Sequence, residues 1–119
     1  MNPFRLVLPV VLLAAAVGST ARGDAKPDTK SVARMVYYTG KVQGVGFRAT
    51  AVEISRDYPI TGWVKNLADG RVQLVVEGPK ESVEAFLKAV RTHWKDNIEK
   101  EEVEEPKLSG KYKKFEIEQ

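Results

Sequence analysis

From Arg34 onward the apolar positions of the chain switch between a period of 2 and a period of 3.6, so strands and helices can be placed before any chemistry is considered. Arg34–Lys41 (RMVYYTGK) is rich in strand-forming residues and reads as a strand. Arg48–Tyr58 reads as a helix, because Phe47, Ala51, Ile54 and Tyr58 fall at spacings of 4, 3 and 4 and stack on one face, and Pro59 stops the pattern. Ile60–Leu67 and Arg71–Glu77 are two strands joined through Ala68-Asp69-Gly70. Asp-Gly between alternating apolar runs is a strong hairpin signal, since glycine takes a positive φ at no steric cost. Gly78-Pro79 closes that strand and opens a second helix over Lys80–Trp94. There Val83, Phe86, Leu87 and Val90 recur at i, i+3, i+4 and i+7, with Lys80, Glu81, Glu84, Lys88 and Arg91 outside. Charge-heavy Ile98–Glu105 suits an edge strand guarded by Glu101, Glu102, Glu104 and Glu105, and alternating Phe115–Glu118 completes the sheet.

The order β-α-β-β-α-β specifies an α+β domain, a ferredoxin-like βαββαβ sandwich. Its sheet has four to five mainly antiparallel strands, with two helices on one face. In such a split sheet the first two strands run parallel with the third between them. Their C-terminal ends therefore share an edge, roughly 10 Å apart at about 4.8 Å per strand.

Ahead of the domain, Met1–Arg5 carries a basic start and Leu6–Val17 holds no charge. That run is about 12 residues, short of the roughly 20 a helix needs to span a bilayer. Small residues follow in Gly18-Ser19-Thr20-Ala21 and again at Gly23-Asp24-Ala25. The pattern reads as a secretory signal peptide over 1–25, cut after Ala21 or Ala25, then a linker over 26–32 and the domain over 33–119. The expected location is outside the cytoplasm, periplasmic or secreted, with no membrane attachment after cleavage.

Composition narrows the chemistry. With 0 cysteines there is no disulfide framework, thiolate zinc site or cysteine nucleophile, and with 1 histidine (His93) no two-histidine metal site. The net charge of +3 falls by one on cleavage after Ala25, which gives no general pull toward nucleic acid. An RNA-binding module on this scaffold would need outward aromatics on the third strand as well as the first, and Arg71–Glu77 offers none. His93 reads as an exposed residue at the end of the second helix, away from the functional edge. Whatever chemistry the protein performs uses Arg, Lys, Asn, carboxylates or the backbone.

Between the first strand and the first helix lies Gly40-Lys41-Val42-Gln43-Gly44-Val45-Gly46-Phe47-Arg48. Two glycines running straight into a helix let successive backbone N–H groups turn toward one point. The helix N-terminus adds partial positive charge there, and Arg48 adds a full charge with a fork of donors. The combination suits an oxyanion, phosphate before others. A dinucleotide fingerprint matches formally at Gly44-x-Gly46-x-x-Ala49, but the chain is too short for a doubly wound sheet and its next strand turns back in a hairpin. A glycine-rich turn with a surface arginine is the plain alternative. Asn66, near the end of the second strand, shares the sheet edge with the loop and can converge with Arg48 on one small anion. An amide side chain offers donor and acceptor without charge, so it can orient a water beside a phosphate.

Gly40-x-Val42-Gln43-Gly44-Val45-Gly46-Phe47-Arg48, followed by Gly62-Trp63-Val64-Lys65-Asn66, Asp69-Gly70-x-Val72 and Glu77-Gly78, resembles the signature stretches of the acylphosphatases. The resemblance extends over about Val32 to Gln119. It implies hydrolysis of a carboxyl-phosphate anhydride to carboxylate and phosphate, without metal, cofactor or covalent intermediate, by a monomer acting on a small molecule. It further implies that the backbone of Gln43, Gly44, Val45, Gly46 and Phe47, with Arg48, binds the phosphoryl group while Asn66 positions the attacking water. A phosphate- or partner-binding module that turns nothing over is the alternative on the same fold.

Overall fold

Alternation in the strands and the stripes on the helices sort the apolar side chains into one layer between a sheet and two helices. The computed structural model describes residues 30–119, so the leader read over 1–25 and most of the linker lie outside the described residues. The elements are β1 (Ser31–Gly40), α1 (Phe47–Ser55), β2 (Thr61–Asn66), β3 (Val72–Pro79), α2 (Lys80–His93), β4 (Ile98–Glu104) and β5 (Phe115–Ile117). They build a five-stranded sheet in the order β4-β1-β3-β2-β5. β3 runs antiparallel to β1 and β2, β4 antiparallel to β1, and β5 parallel to β2. This is the mixed, mainly antiparallel α+β sheet that the element order specifies.

Register fixes which side chains meet. Val36 and Tyr38 of β1 stand opposite Leu74 and Val72 of β3, and Leu74 stands opposite Val64 of β2. All of these are fully buried, on the face that receives Phe47 and Ala51 from α1 and Val83, Phe86, Leu87 and Val90 from α2. Phe86 joins the layers, meeting Tyr58 edge-on at 6.1 Å and Phe115 at 5.2 Å between ring centroids.

Several boundaries depart from the periodicity. β1 begins at Ser31 rather than Arg34, because its pairing with β3 continues to Ser31 opposite Pro79. α1 stops at Ser55, short of Tyr58. Arg56, Asp57 and Tyr58 donate to carbonyls three residues back, so the chain tightens before Pro59, which disfavours helix in its predecessor. Ser55 follows Phe47 and Ala51 at intervals of four and is buried with them, its hydroxyl satisfied by the Val52 carbonyl, while Ile54 and Tyr58 are half-buried. Glu101 is no solvent guard: it accepts from Arg91 of α2 at 2.7 Å, leaving the other three glutamates to face water.

Because β4 and β5 lie on opposite edges, the chain between them crosses the sheet as a strap, on the side away from the helices. The Glu77 carboxylate, 4% exposed, holds it through the Ser109 amide and hydroxyl at 2.9 and 2.8 Å and the Gly110 amide at 2.9 Å. Trp63 Nε1 donates to the Tyr112 hydroxyl at 3.3 Å farther along.

Candidate active site

The loop Lys41–Gly46 is tied at one end and in its middle. Lys41 exchanges two hydrogen bonds with Asn97, one to its carbonyl and one from its side-chain amide, both at 2.9 Å. Gln43 Nε2 donates to the carbonyls of Leu67 and Arg71 at 2.8 Å each, which fastens the loop to the base of the β2–β3 hairpin. That hairpin is closed in turn by the Asp69 carboxylate, which accepts the Arg71 amide and guanidinium. The Arg71 backbone bond, before the other contacts, holds the exposed Asp69 carboxyl below the usual carboxylate range.

Beyond Gln43 the backbone turns through Gly44 and Gly46 with φ of +76° and +92°. A methyl group at either position would meet no neighbour, so the requirement is conformational. Gly46 is the N-cap of α1 and supplies no side chain, and the first helical bond runs from Thr50 to the Gly46 carbonyl. Among the described residues, the amides of Gly44 through Ala49 have no hydrogen-bond acceptor. The orphan donors of a helix start are left pointing outward from a left-handed turn, an arrangement that attracts anions.

These donors border a cavity of about 140 Å³ lined by Gly44, Gly46, Phe47, Arg48 and Ala49 on one side and by Asn66 and Ile117 on the other. The structure thus brings Arg48 and Asn66 together, as the sheet topology predicted. The Arg48 guanidinium is half-buried and makes no ion pair or hydrogen bond within the described residues. Asn66 Oδ1 is buried without a partner among the described residues. A buried carbonyl oxygen left unmatched costs about 1–3 kcal/mol, a penalty a bound water or ligand relieves. Two residues of the predicted loop stand aside: the Gln43 side chain is committed to the hairpin, and that of Val45, 36% exposed, projects to solvent.

Phe47, the first residue of α1, is gripped between Tyr38 at 5.0 Å and Trp94 at 5.3 Å, nearly parallel to the latter at 20°. Helix α2 therefore ends under the loop, at the same edge as the cavity. His93 is exposed, as expected, but is not remote from that edge. Burial, reinforced by the Glu101 charge and opposed by Arg91, drives the Tyr38 phenol well above its ordinary value. Asn97 and Ile117 were missed by sequence reasoning. Only the FEIE alternation hinted that Ile117 shares a strand face with the buried Phe115, and nothing local marks Asn97.

Residues 34–117 match the family model described as acylphosphatase. A protein named acylphosphatase from Natronomonas pharaonis is 52% identical over 52 residues, a match covering 44% of this chain and 56% of that relative. One from Trichormus variabilis is 42% identical over 65 residues, covering 55% of this chain and 64% of the relative. The chain thus spans about three fifths of the length of these curated relatives. The crystal structure of acylphosphatase from Bacillus subtilis superposes with a TM-score of 0.66 at 29% identity, covering 74% of this chain and 99% of that one.

Proposed function

The chain belongs to the acylphosphatase family, and from that premise we propose that it hydrolyses acyl phosphates to carboxylate and inorganic phosphate without metal or cofactor. The free amides of the loop and the Arg48 fork bind the non-bridging phosphoryl oxygens, neutralising charge that spreads over them as the bond to the leaving group lengthens. Asn66 Oδ1 accepts a hydrogen bond from a water and holds its oxygen toward phosphorus. That oxygen forms the new P–O bond as the bond to the acyl oxygen breaks. The carboxylate departs with the bonding pair, and the water's proton passes to solvent or phosphate. An acyl phosphate has a stable leaving group, so positioning and charge stabilisation supply most of the rate and no general acid is required. One observation carries this reading: loop residues whose amides have no acceptor among the described residues, Arg48 with no partner among them, and Asn66, whose Oδ1 is unmatched there, line one small cavity.

The test is hydrolysis of benzoyl phosphate by the purified chain in chelator, beside Asn66→Ala. Turnover that falls on the order of a hundredfold in the variant, with inhibition by inorganic phosphate retained, supports the assignment. Wild-type turnover at the uncatalysed rate with phosphate still bound would reduce the domain to a binding module.

The small volume of the cavity fits a small-molecule substrate, and action as a monomer is part of the proposal. The basic, apolar and small-residue runs of 1–25 support export, and N-terminal sequencing of the protein from cell fractions tests it. A mature chain beginning after Ala21 or Ala25 outside the cytoplasm is the expected result.

A further inference from the structure

Ile117 is shared by two cavities. One wall of the small phosphoryl cavity is its side chain, and the same residue borders a larger open groove of about 530 Å³ between α1 and β5. The groove's floor is Val52, Ser55, Ile60 and Phe115, of which the last three are buried. Arg56, Lys114 and Glu116 stand at its far end and rim, the latter two weakly paired at 3.6 Å. Ile117 itself is 38% exposed, one of only four large apolar side chains so exposed among the described residues.

Directions in the fold make the groove an extension of the site. α1 leaves the cavity at Phe47 and passes Val52, while β5 reaches the cavity at Ile117 after running past Phe115. From Ile117 back to Lys114 the groove extends roughly 10 Å at about 3.3 Å per residue. A phosphate and its attacking water take up most of the phosphoryl cavity, so an acyl chain of more than a few atoms extends beyond it. The acyl group of a bound substrate must leave it, and the apolar way out passes over Ile117.

Resting on the acyl phosphate reading, we infer that this groove is the acyl-group subsite, with Ile117 as its threshold, and that the enzyme selects extended aliphatic acyl phosphates over acetyl phosphate. Burial of one methylene is worth about fourfold in affinity when complete, and a groove open on one side gives less.

Linear acyl phosphates from acetyl to octanoyl are the probe, assayed with the wild-type chain and with Val52→Trp, which fills the groove from α1. The wild-type kcat/KM is expected to rise about two- to threefold per methylene through hexanoyl. In Val52→Trp the ratio of octanoyl to acetyl phosphate should collapse toward one, with the thermal transition of the variant confirming that it folds. Ile117→Lys is expected to shift preference toward an acyl group ending in a carboxylate, such as succinyl phosphate, a reversal that loose packing alone would not produce. A flat wild-type series overturns the subsite while leaving the hydrolase reading intact. A gradient that survives Val52→Trp places the acyl chain elsewhere and overturns it too. Absence of turnover with every member removes both readings together.

Discussion

Arg48 is a side chain whose value depends on having no protein partner. Were it paired, as Arg91 is with Glu101, an incoming anion would have to compete for its donors. Half-buried and without a partner among the described residues, it would on the proposed reading offer two parallel charge-assisted bonds to a phosphoryl group, and Arg48→Ala should then weaken inhibition by inorganic phosphate at least a hundredfold. Unchanged inhibition in that variant would sink its assigned role. Arg48 and Asn66 were both legible in the sequence, one from the glycine-flanked loop running into a helix, the other from the parallel ends of a split sheet. The side-chain work of Gln43 was not. A glutamine in a phosphate-type loop gives no local sign that its amide closes a hairpin 24 and 28 residues away. Asn97 was hidden for the same reason, since its partner Lys41 lies 56 residues away.

Among the elements, the strap between β4 and β5 shows how a short strand is kept in place. β5 has 3 residues and pairs only with β2, too little to hold the edge alone. Glu77 anchors the preceding chain with three bonds to a buried carboxylate, of the kind that each contribute about 1.5–3 kcal/mol when one partner is charged. Glu77→Ala is therefore expected to cost about 2–3 kcal/mol, lowering the thermal midpoint on the order of 10 °C. It should also open Lys107, Lys111 and the lysines after them to trypsin in the folded protein. Resistance to cleavage equal to wild type would show that the strap is held by other contacts. Period placed the two helices and the hairpin strands, which bury clean apolar stripes, whereas β4, which buries none, was legible only as a charge-heavy edge. Period misplaced the end of α1, where tightened hydrogen bonds change the phase that a 3.6 period assumes. It also missed the turn of Glu101 toward Arg91, which depends on a helix distant in sequence.

For the molecule as a whole, the sheet's covered face holds one titratable group whose environment differs greatly between folded and unfolded chain. The Tyr38 phenol is fully buried near Glu101, its hydroxyl without a hydrogen-bond partner among the described residues, and burial first and Glu101 second raise its folded value above the ordinary value of 10.0. Above about pH 10 the unfolded chain loses this proton while the folded chain keeps it, so stability falls as pH rises through that region. Tyr38→Phe removes the linkage. Chemical denaturation from pH 8 to 11 should show the wild type losing up to about 1.4 kcal/mol more per pH unit than the variant at the alkaline end. The variant should match or exceed wild type near neutrality, since it also deletes an unsatisfied buried hydroxyl. Parallel curves would mean that Tyr38 ionises freely in the fold. The aromatic stack beneath the loop carries a different consequence. Trp94, 9% exposed, lies against Phe47 at the root of the glycine-rich turn proposed to bind the phosphoryl group, whereas the half-buried Trp63 sits on the opposite side of the sheet beside Tyr112. The protein thus contains two indoles in unlike surroundings, one of them a native optical gauge of whether the turn is filled. Its emission can be followed by light alone, with no label attached.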